Sequence, residues 1–467
     1  MQLAPLLWIF GILAALVSAL ALLRLGQRHF GWHAEISRKC AHVSMGLTTL
    51  SFPWIFHDRW PVVVLAVLAA VTLWAVRTIP TLKSSLGQTL GAVKRASLGE
   101  LLFPVAVAGV FCMALHDKKA PPGLPVLYLI PVLVLTVADA IGALIGVGYG
   151  KVRYRTDDGI KSFEGSLAFF GAAFLCSHTL LLLGTPLGRE ETLLIALHLA
   201  LLVTIMEALS WNGLDNLFVP LGSYVLLRMF VGLHAWDLLV RFVAINVLLL
   251  ALLLWKARTY LRGNALFGVA LALYSIWFLG GTAWIWPALV FWIMYTLLCP
   301  REDLRQAHAH NAQAVVAVSG APIFWLLLNA LGGMDTFVPY VVSIAAHLSL
   351  ILFAHFQGLP GRSRLSAWWQ AGALGFAFIG LPYTLGHALH PFFEVSIFAP
   401  SAAVATPEIG PGLWLRVLAC LAGTFGSAGL FWFWQYTLHG SEFCGARWAR
   451  QGLIPLVFSL LAAAISY

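Results

Sequence analysis

Runs of roughly 17 to 25 apolar residues recur from Leu3 to the final segment of this chain, each long enough to cross a hydrocarbon core of about 30 Å as a helix. One such run could be a buried core helix, but a whole chain of them has no soluble solution. Only 10% of the residues are charged and 60% are hydrophobic, whereas a soluble domain carries about 25% charge. The chain therefore reads as a polytopic membrane protein. The alternation of lipid-facing barrel strands is not seen, so the expected fold class is all-α, a transmembrane helical bundle of roughly 14 to 16 spans. The first run, 3–23, lacks a basic leader and a small-residue cleavage site and is followed by further spans, which predicts a retained helix. Six cysteines, Cys40, Cys112, Cys176, Cys299, Cys420 and Cys444, lie mostly in apolar context without metal-ligand spacing. Neither a disulfide framework nor a zinc site is expected of them.

A formal charge of +9 could indicate nucleic acid, but its distribution argues for a membrane instead. Of the 28 Lys and Arg, 21 fall in alternate loops and seven are left for the other face. The positive-inside rule makes the rich side cytoplasmic and the N-terminus exterior. No nucleic-acid partner is expected.

Carboxylates are scarce enough to be informative. Asp139 lies about two turns inside its span, where an unpaired acid is costly and a functional role is the default reading. A hydrogen bond to a buried Ser or Thr is the structural alternative. After Asp139 come Gly142, Gly146 and Gly150 at a spacing of four, on one helical face, a packing motif or a ligand cradle. The chain then emerges into Lys151, Arg153, Arg155 and Lys161 and re-enters the apolar phase at Glu164. Acids facing cations across a glycine-rich turn suit a metal-bound polyphosphate, since Mg²⁺ prefers oxygen ligands and phosphates prefer donors and positive charge.

Further residues are placed at the same face. Arg38, Lys39 and His42 open an earlier span, with one of the cations on the helical face of His42; they are membrane anchors or phosphate contacts. Glu100 is a solvated end residue or a further ligand. Lys83, Lys94 and Arg95 belong to a long polar connection, an interfacial flap or a linker. Glu207 and Asp215 flank a break at Asn212 and Gly213; they are helix caps or additional acids that raise the local affinity for a divalent cation.

The stretch DAIGALIGVGYGKVRYRTDDGIKSFEGS resembles the signature of the CTP-dependent polyprenol kinases, the family of dolichol kinase and phytol kinase, related to the phosphatidate cytidylyltransferases. RKCAHVSMG resembles an upstream element of that family, and EALSWNGLDNLFVPL a later one. The three occur in order between Arg38 and Leu221. The resemblance implies an integral-membrane, multi-pass kinase with its active site on the cytoplasmic face. It would use Mg²⁺ to transfer the γ-phosphoryl group of CTP to an isoprenoid alcohol dissolved in the bilayer. On the matching positions Asp139 and Glu164 would bind or orient the metal nucleotide and act with Glu207 and Asp215 as catalytic acids and bases. Arg38, Lys39, His42, Gly150, Lys151, Lys161, Ser162 and Gly165 would hold the nucleotide phosphates. A cytidylyltransferase forming a CDP-lipid from phosphatidate is the alternative within the same chemistry. An ion-coupled transporter is the alternative from another class, opposed by acids that gather at one face and by the lack of an internal repeat. The kinase-like domain is expected over 1–262. Residues 263–467 form an additional polytopic domain of unknown role, with no acid deep in any span and with His308 and His310 in a solvated loop.

Overall fold

The computed structural model describes residues 3–30, 34–81, 98–156, 159–255, 261, 264–298, 311–386, 411–437 and 445–466. Lys83, Lys94, Arg95, His308, His310 and the expected domain boundary at 262/263 lie outside the described residues. The chain separates into two compact units, Met1–Ala244 and Ile245–Tyr467. Among the described residues ten helices are long and apolar enough to cross a membrane, and three shorter apolar helices accompany them. The protein is thus an all-α, multi-pass membrane protein, with fewer full-length spans described than the 14 to 16 expected.

The first unit contains α1 (Leu3–Phe30), α2 (Ala34–Thr49), α3 (Arg59–Thr78), α4 (Gly99–Ala114) and α5 (Val126–Tyr149). A two-stranded antiparallel hairpin follows, β1 (Arg153–Thr156) and β2 (Gly159–Ser162). The unit continues with α6 (Phe163–Gly184), α7 (Arg189–Leu209) and α8 (Asp215–Phe230). Helix α9 (Ala235–Trp255) runs across the division between the units. The core follows α7, which packs between α6 and α8, while α5 packs on α6 and α2. Buried aliphatic positions recur along α7, including Ile195, Leu199, Leu202 and Val203. At roughly 1.5–3 kcal/mol per fully buried aliphatic side chain, such a helix is fixed firmly enough to hold a charged group at its end.

Helix α5 is interrupted where it matters. Pro131 removes one N–H from its ladder, and the next turn, Val134–Ala138, widens to a π-turn immediately before Asp139. Such bulges free a carbonyl and are frequent at functional sites. Gly46 of α2 abuts the same turn: a Cβ there would collide with the Thr136 side chain. The small residue lets α2 approach α5 closely enough for their charged side chains to meet.

The second unit contains α10 (Ala265–Gly280), α11 (Thr282–Leu298), α12 (Ala312–Gly332), α13 (Phe337–Gln357), α14 (Arg364–Gly375), α15 (Gly412–Gln435) and α16 (Gly445–Ser466). Its axis is α13, which packs against α11, α12, α14 and α16. In its most apolar window 83% of the residues are buried, which is what a helix hydrophobic on every face requires.

Candidate active site

The charged residues singled out in the sequence gather at one end of the first unit, though not in the partnerships that spacing implies. Lys39 Nζ donates to Asp139 Oδ2 at 2.7 Å, with side-chain exposures of 7% and 19%. His42 Nε2 lies 3.0 Å from Leu135 O, in the π-turn, and 3.5 Å from Asp139 Oδ2. A carbonyl can only accept, so Nε2 carries the proton in that bond. The His42 ring also meets Phe103 edge-on, with centroids 5.0 Å apart. Arg38, one residue before Lys39, is within electrostatic reach of both Asp139 and Glu100.

A second ion pair stands beside the first. The hairpin register pairs Tyr154 with Lys161, and because strand side chains alternate, Lys161 turns inward while Ile160 is exposed. Lys161 Nζ donates to Glu207 Oε1 at 2.7 Å and to the Glu207 backbone O at 2.5 Å. Burial pulls the Lys161 ammonium down, but the Glu207 and Asp215 carboxylates outweigh it and hold the group above the ordinary lysine value. Tyr154, on the same hairpin face, shares a 2.6 Å hydrogen bond with Ser166 Oγ, and burial raises its phenol.

Asp215 links the two pairs. It is the first residue of α8, and its charge is felt together with those of Asp139, Lys161 and Lys39. The turn that places it opposite Glu207 uses Asn212 (φ 53°) and Gly213 (φ 82°) in the left-handed region, which these two residue types adopt most readily. Leu98 N donates to Asn212 O at 2.8 Å, tying the start of α4 to that turn. The result is three carboxylates interleaved with two ammonium groups and His42, drawn from α2, α5, β2, α7 and α8.

The remaining predicted residues serve the frame. Ser162 is the N-cap of α6, its Oγ accepting from Gly165 N at 3.2 Å, and this satisfies a helix-start donor. Glu164 accepts from Val152 N at 3.1 and 3.3 Å and closes the hairpin base. It is engaged there, apart from the Lys39–Asp139 pair, and Lys151 beside it is exposed. The glycine face is a packing seam. A Cβ at Gly165 would lie 2.9 Å from both Gly142 O and Gly146 Cα, and one at Gly150 would lie 2.6 Å from Ser162 Cβ.

Two buried oxygens in this region have no hydrogen-bond partner, Glu207 Oε2 and Asn216 Oδ1. Asn216, which the sequence places with Glu207 and Asp215 after the Asn-Gly break, carries no role from its position alone. Among the described residues no three His, Cys, Asp or Glu side chains form a ready-made metal site. Asp139 and Asp215 could supply the one or two protein carboxylates that Mg²⁺ takes when its other ligands are waters and substrate phosphates.

Apolar helices long enough to cross a membrane, with paired charges at their ends, define an integral-membrane protein. The chain is 31% identical over 208 residues to phytol kinase of Synechocystis sp., a match that covers 44% of this chain and 82% of that protein. It belongs to the phytol kinase family. No family model matches the chain, and no solved structure does.

Proposed function

We propose that the first unit is a CTP-dependent kinase that phosphorylates an isoprenoid alcohol in the bilayer, working from the cytoplasmic face with the N-terminus outside. The observation that carries this reading is the interleaved cluster Lys39–Asp139, Asp215 and Lys161–Glu207 at one end of an apolar bundle. Phosphoryl transfer is achieved chiefly by positioning and charge neutralisation, and this cluster supplies both. Lys39, Lys161 and Arg38 neutralise the nucleotide phosphates, and Asp139 fixes Lys39 and His42. Mg²⁺, arriving with the nucleotide, would be held by Asp139 and Asp215 and would neutralise the phosphate oxygens. The alcohol gives its proton to a carboxylate, Glu207 through its free Oε2 or Asp215. Its oxygen bonds to the γ-phosphorus as the bond to the β-phosphate oxygen breaks, and CDP leaves with the electron pair. Glu164, Lys151, Ser162, Gly150 and Gly165 act at one remove by fixing the hairpin and the α5–α6 seam.

An apolar cavity beside the cluster supports an approach for the alcohol from the bilayer side. A cavity of about 60 Å³ lies among α1 to α4, lined by residues such as Ile12, Leu16, Met45, Leu65 and Phe103. Phe103 is also the ring that meets His42, so the lipid side and the charged side share a wall.

The test uses detergent-solubilised full chain with Mg²⁺, geranylgeraniol or phytol, and CTP labelled at either the α- or the γ-phosphate. Label from the γ position alone should enter the lipid, with release of CDP. Label from the α position in the lipid, with pyrophosphate released from a phosphatidate acceptor, would make the enzyme a cytidylyltransferase and overturn the kinase reading.

A further inference from the structure

The second unit holds a cavity of about 330 Å³, lined by α10 to α13 and the start of α16. That volume lies within the range of about 300–1,000 Å³ typical of ligand sites. Its walls differ in character. Helices α10 and α11 contribute apolar and aromatic side chains such as Leu273, Ile276 and Phe291. Helices α13 and α16 contribute His347, His355, Arg447 and Gln451.

The polar wall is built and buried. His347 is 1% exposed and Arg447 5%. Arg447 and Gln451 stand one turn apart on α16 and therefore share a face, and the Arg447 guanidinium lies 5.8 Å from the centre of the Phe431 ring. His347 Nδ1 faces Ser343 O at 3.2 Å, so Nδ1 carries the proton, and the ring also lies against the Ala317 and Gln451 backbones. Among the described residues that line the cavity there is no Asp or Glu. Arg447 opens α16, and His355 and Tyr295 lie near the ends of α13 and α11. The polar wall therefore reaches the span ends.

We propose that this cavity binds a single-chain lipid with an acidic oxygen headgroup, a phosphate or carboxylate. Its chain lies against α10 and α11 and its head on Arg447 and Gln451. A buried guanidinium is the residue best suited to such a head. No carboxylate is present among the described lining residues to hold a cationic head. The inference does not depend on the kinase reading of the first unit.

The test is photolabelling of the full chain in nanodiscs with a diazirine-bearing farnesyl monophosphate, followed by peptide mapping. Adducts are expected on 265–280 and 282–298, the helices against which the chain lies. Arg447→Gln should lower them about tenfold, and Arg447→Lys, which keeps the charge, should restore most of the yield and exclude a folding defect. Val318→Trp, which fills the cavity from α12, should abolish them. Competition by unlabelled farnesyl monophosphate and by palmitate separates the two head chemistries, and protection by either supports the site. Adducts confined to other segments, equal labelling by a farnesylamine probe, or a yield unchanged in Arg447→Gln would each overturn it.

Discussion

The two units are made of the same material and keep their charge in different places. In the first, acids and lysines meet in pairs at the span ends, Lys39 with Asp139 and Lys161 with Glu207. In the second, Asp335 is the only acid among the described residues, and the buried polar groups, His347, Arg447 and Gln451, line an apolar cavity. A cluster holding both signs can neutralise phosphates and accept a proton. A wall of donors without carboxylates can hold an acid but has little to transform it with. On the two proposals above, chemistry belongs to the first unit and retention of a ligand to the second.

The comparison breaks most easily at Asp139. Asp139→Asn should reduce phosphoryl transfer by a factor of about 10²–10³, the usual cost of losing one preorganised electrostatic contact. Lys39→Met should match it, and the double variant should be little worse than either single one, because the pair acts as a unit. Additive losses in steady-state assays would show that the two residues act independently.

Lys161→Met should have the next largest effect. It leaves Glu207 buried without its partner, a change worth about 3 kcal/mol in other buried pairs. Its pH dependence has a definite sign. The Lys161 value is raised in the folded protein, so its stabilisation is complete below the unfolded lysine value of about 10.4 and fades as pH rises through the folded one. Unfolding of the parent and the variant, compared across pH, should differ by a constant amount from neutrality to about pH 10 and converge above it. A gap that opens only at acid pH would contradict the assignment.

Gly165→Ala tests the frame. The added Cβ meets the α5 backbone at 2.9 Å, and overpacking of this kind costs about 1–3 kcal/mol, so lower thermal stability with a partial loss of activity is expected. The smallest effect belongs to Asp117, far in sequence from the cluster, which accepts from Tyr224 OH at 2.5 Å and from Arg228 Nε at 2.7 Å. Burial opposes its ionisation, but these bonds and the Lys119 N–H bring its carboxyl below the ordinary value. Asp117→Asn should leave transfer unchanged and lower the melting temperature by a few degrees at neutral pH. That gap should close as pH falls through the folded value, because the stabilisation of a depressed acid is lost on protonation.

Much of this was legible before any coordinates. Apolar run lengths identify the membrane class, and the rarity of intramembrane acids singles out Asp139. The ordered motifs bring Lys39, His42, Lys161, Glu207 and Asp215 into one site. Partnerships were not legible, because Lys161 and Glu207 are 46 residues apart and meet through lateral packing that helical periodicity does not encode. Glu164 illustrates the limit: the family resemblance makes it a metal ligand with Asp139, and nothing in the sequence signals that it accepts from the Val152 N–H at the hairpin base. The hairpin itself has strands of four residues, too short to show an alternating pattern. The π-turn before Asp139 leaves no clear mark in the sequence beyond Pro131. The cavity of the second unit is lined from five helices, and nothing local predicts it.

The central claim is that transfer chemistry resides in the charged cluster of the first unit. The most direct measurement is the rate at which γ-labelled CTP phosphorylates geranylgeraniol in purified Asp139→Asn and Asp335→Asn proteins, set against the parent. The account predicts a loss of at least about 100-fold in Asp139→Asn and parent-like rates in Asp335→Asn. Retained activity in the first together with collapse in the second would contradict it.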